Sequence, residues 1–237
     1  MGIQDTCHGG PRERPRRLRK KKSTTLKSLY WKFALSNCCN SSYRKGAAKP
    51  RALAARPIAC KMLFTEARVK GGYLIELEKK FDERGFFARA FCQKEFQAHN
   101  IVAQFVQCNV SFNKSKGTLR GMHRQVVPHE EDKLIRCTRG AVFGMMLDLR
   151  RNSPTFRKWQ GFELTQDNHR SIFIPGGCAA GYQTLQDNSE VVYLVSEFYT
   201  PGAEEGFRYN DPAFGIELPT EVTVISEKDK NWPDYAL

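Results

Sequence analysis

From residue 62 onward the chain is a succession of short runs rich in Val, Ile, Leu, Phe, Tyr and Thr, each closed by a turn signal. The runs cover 73–78, 86–91, 105–112, 118–125, 133–138, 141–149, 161–165, 171–175, 182–185 and 191–199. Between them stand DERG, NKSKG, TRG, RRNSP, TQDN, PGG and QDNS. Their Gly, Pro, Asn and Asp supply the backbone freedom, fixed φ or side-chain bonds that reversals need. Short strands at such regular spacing predict an all-β sandwich or barrel, and a jelly roll protects its sheet edges best. Only 93–101 and 226–235 predict helices, both short.

Residues 1–61 carry no such pattern. They contain RERPRRLRKKK and SNCCNSSYRKGAAKPRALAARP, with 16 Lys and Arg against two acids, Asp5 and Glu13. Residues 62–237 hold 22 basic and 23 acidic side chains, so the formal charge of +13 belongs to the first segment. A nucleic-acid role is therefore not expected of the core. Three readings fit the basic extension: an organelle transit peptide, a basic arm, or translated sequence upstream of a start at Met62. In each it is disordered or dispensable to the fold, and 62–237 forms the domain. No apolar run approaches the ~20 residues of a membrane helix, so no membrane partner is expected. A cytoplasmic setting follows, or an organelle if the extension is a transit peptide. Cys92, Cys108, Cys137 and Cys178 stand in apolar or strand-like runs and read as buried free thiols.

Candidate chemistry begins at Gly117-Thr-Leu-Arg-Gly-Met-His123-Arg-Gln125, followed by Lys133 and Gly140. This is the frame of the first cupin motif, with Gln125 in place of the second histidine and Lys133 in place of the glutamate. The second motif reads Pro175-Gly-Gly177-Cys-Ala-Ala180, with Ala180 where a histidine ligand belongs. Gln, Lys and Ala do not make a metal site, since a divalent ion needs several N, O or S donors and an ammonium repels it. Neither a metal nor a cofactor is expected. Read without context, His123 is a satisfied strand histidine, Tyr193 core filling, Lys133 a solvated strand start and Asp211 a turn residue before proline.

Larger words change that reading: DERGFFARAF (82–91), FVQCN (105–109), TLRGMH (118–123), DKLIRCTRGAVF (132–143), EVVYLVSEFYTPGAEEGFRYNDPAFGIE (190–217) and ISEKDKNWPD (225–234). In this order they resemble the dTDP-4-dehydrorhamnose 3,5-epimerase family, across 62–237 and nowhere in 1–61. The resemblance implies a cupin-type double-stranded jelly-roll barrel and a cofactor-independent isomerase acting on a dTDP-linked 4-keto-6-deoxy sugar. It implies His123 as the base, Tyr193 as the acid on the opposite face, Lys133 as the enolate's cation, and Asp211 as the partner of His123. Arg84, Phe87, Gln107, Asn109, Arg120, Tyr199 and Glu204 are the implied substrate contacts. A homodimer is implied as well, with 86–91 reaching the neighbour's site. Four positions depart from the family's pattern: Ala180 replaces a histidine, Gly144 an acid, Arg124 a tyrosine or similar residue, and Arg89 a frequent glutamate. These departures keep open a related 3-epimerase, a 3,4-ketoisomerase, or a weakened sugar-nucleotide binding protein.

Overall fold

The computed structural model describes residues 60–101 and 104–236, so the expectations for the basic extension lie outside the described residues except at Cys60 and Lys61. In chain order the elements are β1 (Met62–Glu66), β2 (Tyr73–Leu77), β3 (Lys80–Asp82), β4 (Gly85–Phe87), α1 (Gln93–Ala98), β5 (Gln107–Asn113), β6 (Leu119–Gln125) and β7 (Lys133–Arg139). Then follow β8 (Ala141–Asp148), β9 (Trp159–Thr165), β10 (Ser171–Ile174), β11 (Cys178–Thr184), β12 (Ser189–Val195), β13 (Glu204–Gly206) and α2 (Glu227–Lys230). A six-stranded sheet runs β1-β2-β10-β7-β12-β5, a five-stranded sheet runs β13-β6-β11-β8-β9, and β3 and β4 form a separate hairpin. Neighbouring strands pair antiparallel throughout. The fold is a cupin-type jelly roll.

Both large sheets contribute to one core. Ile135, Cys137, Ile172, Ile174 and Val191 come from the first, and Val142, Met146, Leu164, Cys178 and Tyr182 from the second. Burying these largely apolar side chains at about 25 cal/mol per Å² supplies most of the driving force. The predicted runs sit on the observed strands, with differences at their ends. The 86–91 run is strand only over Gly85–Phe87, because its partner β3 is itself short and, among the described residues, no further strand pairs with it. The 191–199 run ends at Val195, where the Ser196 N–H turns to the Asp132 carbonyl. β11 starts four residues before the predicted run, in small residues of weak strand propensity that are buried on both faces. Two cysteines correct an expectation: Cys108 is exposed and Cys92 only half-buried. Alternation along β5 turns Gln107, Asn109 and Ser111 inward and Cys108, Val110 and Phe112 outward, and an apolar run does not reveal which face is inside. Among the described residues no helix is long and apolar enough to cross a membrane.

Asp148, at the end of β8, is fully buried and binds Arg150 through two oxygens, at 2.9 and 2.8 Å, with Ser153 and Thr155 on Oδ2. Burial alone would raise its carboxyl, but these bonds outweigh it and hold the carboxyl down at about 2. A carboxyl depressed in the folded state stabilises above its unfolded value near about 4 and loses that contribution as pH falls toward about 2. The shift corresponds to roughly 2 kcal/mol. Urea unfolding of Asp148→Asn should therefore show a deficit at pH 7 that narrows as the pH falls toward 2. An equal deficit at both pH values would refute this account.

Candidate active site

The barrel interior holds a cavity of about 490 Å³ lined by His123, Arg120, Lys133, Tyr193, Lys228 and Asp229, with Ala180, Tyr182 and Ser111 completing its wall. Two sets of strands and the C-terminal segment bring these groups together. On β7 and β12, Lys133 pairs with Val195 and Ile135 with Tyr193, so the ammonium and the phenol share one inward face. Across the barrel, β6 supplies Arg120 and His123. Residues three apart on a regular strand point to opposite faces. Here the register shifts between Ala180 and Tyr182, which pair with His123 and Arg120, and this bulge turns both side chains into the cavity. Gly121 makes the bulge possible. Its φ is +108°, and a Cβ there would lie 2.6 Å from Gly181 Cα and 2.7 Å from the Ala180 carbonyl oxygen.

The third wall is the C-terminal segment. It is laid along β6 by the Leu119 N–H on the Val224 carbonyl and the Thr223 N–H on the Gly117 carbonyl. Ser226 caps α2 by accepting the Asp229 N–H at 3.0 Å. That bond fixes where the Asp229 side chain leaves the helix, and its Oδ1 lies 2.6 Å from His123 Nε2. The expected pairing of Asp211 with His123 is thereby corrected: the carboxylate on the imidazole is Asp229. Asp211 is buried elsewhere, accepting the Ala213 N–H at 2.8 Å and the Tyr235 N–H at 2.6 Å. Burial pushes the Asp229 carboxyl up, yet the bond and charge of His123, with the Gly121 N–H and Ser226 hydroxyl, hold it below the usual carboxylate range. Burial, Tyr182 and the carboxylates Glu131 and Glu204 push the Tyr193 phenol up, against a smaller opposing effect of Arg120. The phenol therefore stays protonated at neutral pH.

The seven expected substrate contacts fall in different places. Arg120 lines the cavity, with its Nε donating to Asn113 Oδ1 at 2.7 Å. Glu204 Oε1 is 3.6 Å from His123 Nδ1, and the Glu204 carboxylate also pairs with Lys228. Gln107 and Asn109 lie on the inward face of β5, where Asn109 pairs with Tyr193 and Gln107 Oε1 accepts the Tyr199 N–H. Tyr199, past the end of β12, is largely exposed. Arg84 and Phe87 are also exposed, on the β3–β4 hairpin, where Arg84 pairs with Asp82. Neither of these two reaches this chain's own cavity. Sequence reasoning missed Asp229 and Lys228. The signal for Asp229 was the S-x-x-D spacing in SEKD, a cap that orients a carboxylate.

The departures are coherent in space. Ala180 lines the cavity, and a Cβ on Gly144 would stand 3.0 Å from both Ile172 Cδ1 and Leu164 Cδ1. Where the family's pattern has a His and an acid, this chain has apolar packing. Arg124 turns away, to Glu205 at 2.7 Å and the Gly177 carbonyl at 3.0 Å. Arg89 binds Glu95 at 2.9 Å. Among the described residues no three His, Cys, Asp or Glu side chains gather as a metal site requires.

Known proteins share this architecture. The family model described as dTDP-4-dehydrorhamnose 3,5-epimerase matches residues 66–236. A dTDP-4-dehydrorhamnose 3,5-epimerase from Shigella flexneri is 43% identical over 151 residues, 63% of this chain and 83% of that protein. The crystal structure of the Bacillus anthracis enzyme, with TDP and PPi bound, superposes with a TM-score of 0.71 at 35% identity, covering 74% of this chain and 100% of the other. A Legionella pneumophila epimerase in complex with dTDP-4-keto-L-rhamnose gives a TM-score of 0.67 at 32% identity, covering 75% and 100%. With the match running from Glu66 to Ala236, through every strand that lines the cavity, the chain belongs to the dTDP-4-dehydrorhamnose 3,5-epimerase family.

Proposed function

We propose that the chain epimerises C3 and C5 of dTDP-4-keto-6-deoxy-glucose, giving dTDP-4-keto-L-rhamnose, by proton transfer between His123 and Tyr193 through an enolate. One observation carries this reading: a histidine held by a buried carboxylate opens onto the same cavity as a tyrosine and a buried lysine. The C4 ketone acidifies the hydrogens on its neighbouring carbons. His123 takes such a proton, the C–H electron pair becomes the C=C bond, and the carbonyl electrons move onto O4. Lys133 donates to that oxygen, an interaction typically worth ~10²–10³ in rate. Tyr193 then delivers a proton from the other face and inverts the carbon; its phenolate regains a proton from solvent and the His123 imidazolium releases one to solvent before the next cycle. Asp229 fixes the imidazole tautomer and favours the imidazolium that forms. Arg120 and Lys228 supply cations for the diphosphate, Arg120 with a planar fork that matches two oxygens.

The same reading includes a homodimer. Arg84 and Phe87 are exposed on a hairpin remote from their own chain's cavity, and β5 is an edge strand presenting Val110 and Phe112 to solvent. Pairing two chains through these elements covers an edge and delivers Arg84 and Phe87 to the neighbour's cavity.

A single experiment tests both parts. The protein is incubated with dTDP-4-keto-6-deoxy-glucose in heavy water, and NMR follows deuterium at C3 and C5 across a dilution series run beside sedimentation equilibrium. Exchange at both carbons is expected, with a rate per chain that falls as the dimer dissociates. No exchange at either carbon while dTDP binds would leave a binding protein in place of an enzyme. A monomer at micromolar concentration with full exchange would remove the dimer.

A further inference from the structure

Lys133 is only 8% exposed, and a buried ammonium without a counter-charge loses its proton or destabilises the fold by several kcal/mol. Neither Gly144 nor Ala180 offers it a polar group. The carboxylate it meets is Glu131, with Nζ 2.8 Å from Oε1 and both side chains 11% exposed. The ammonium also donates to the His123 carbonyl at 3.4 Å. Glu131 is held in turn: its Oε2 accepts from Gln125 Nε2 at 3.3 Å. Gln125 is itself fixed, since its Oε1 accepts the Thr200 N–H at 2.7 Å and its Nε2 also donates to the His129 and Phe198 carbonyls. A continuous chain of bonds thus runs from the loop after β12, through Gln125 and Glu131, to the ammonium in the cavity.

We propose that Glu131 is the positioning residue of the active-site lysine, the group that pairs with the Lys133 ammonium and aims it where the substrate's oxyanion develops. The inference rests on the reading of Lys133 as the enolate's cation. It explains how a site with no polar side chain at 144 or 180 retains a usable ammonium, because the counter-charge comes from two residues before the lysine. Gln125, in this view, orients the carboxylate.

The test compares wild type with Glu131→Gln and Glu131→Asp. The full-length proteins are labelled with limiting acetic anhydride at pH 7, and peptide mass spectrometry reports Lys133 modification relative to the other lysines. Glu131→Gln releases the Lys133 amine from its 2.8 Å ion pair, and its labelling should speed by about tenfold or more. Turnover should fall by a similar factor through kcat, with KM changing less than about threefold, and Glu131→Asp, which keeps the charge, should recover part of both. A labelling rate within twofold of wild type in Glu131→Gln overturns the proposal, as does an unchanged kcat. If Glu131→Gln fails to fold by circular dichroism, Glu131→Asp decides by the same two readouts, since a shortened carboxylate must alter kcat if it aims the ammonium. If wild type itself shows no exchange, the function reading fails and the labelling rate alone decides the role of Glu131.

Discussion

His123→Ala should abolish deuterium uptake at both C3 and C5 while leaving dTDP affinity within about threefold of wild type. The expectation follows from where proton acceptors stand. Of the groups lining the cavity, the Asp229 carboxylate is spoken for by His123 Nε2, by the Gly121 N–H and by the Ser226 hydroxyl, and it is held below the ordinary range. A carboxylate made less basic in this way is a poor acceptor for a carbon acid. Tyr193 is the reverse case: its phenol is held protonated, so it gives a proton and does not take one. Lys133 is an ammonium in an ion pair. Loss of a positioned base costs about 10²–10⁴ in rate, enough to put exchange below detection over hours. Binding should persist, because Arg120 and Lys228 remain on the cavity wall. Tyr193→Phe should behave differently. Its enolate still forms and can recapture a proton from His123, so exchange without inversion should continue at C3 or C5 while epimer formation stops. If His123→Ala retained exchange at either carbon, the base would have to be another group and the assignment would fall.

Much of this site is legible in the chain itself. Turn residues cut the core into runs that match most of the observed strands, with β1, β3 and β13 outside every run, because Gly, Asn and Pro act locally and a period of two requires only neighbours. His123, Lys133 and Tyr193 converge on one cavity. What the sequence withholds is the pairing of residues far apart. Asp211 and Asp229 are both acids in the C-terminal third, both buried, and both next to turn or cap chemistry. Only the way the last segment lies along β6 decides which one reaches the imidazole. The Arg120–His123 pair is hidden for a related reason. Their spacing puts them on opposite faces of an ideal strand, and the bulge that reunites them depends on Gly121 meeting Gly181 across a strand pair. Glu131 is obscured by HEED, which reads as a solvated loop of like charges. Its burial depends on Gln125 and on a lysine whose environment is set by strands arriving much later in the chain.

The two aspartates give the decisive test of that long-range pairing, because removing each should damage a different property. Asp229→Asn should lower kcat by about 10²–10⁴, a loss out of proportion to any fall in thermal midpoint. The amide is nearly the same size, so packing against β6 survives, and the Ser226 cap accepts from the backbone N–H whichever side chain follows. What changes is the imidazole. A carboxylate at 2.6 Å can only accept, so it requires a hydrogen on His123 Nε2 and leaves Nδ1 as the basic nitrogen. An amide can present an N–H instead and select the other tautomer, and it does not stabilise the imidazolium. Asp211→Asn should do the opposite. Its two oxygens satisfy the buried N–H groups of Ala213 and Tyr235, and an amide can accept only through its single oxygen. One N–H is left facing a donor, which costs about 1–3 kcal/mol of stability. That loss should appear as a lower melting temperature, with kcat in the folded fraction unchanged within about threefold. Both quantities come from one preparation of each variant, by calorimetry and by the deuterium assay. If Asp211→Asn lost turnover at an unchanged melting temperature while Asp229→Asn kept it, Asp229 would be a structural cap and the dyad would have to be rebuilt on Asp211.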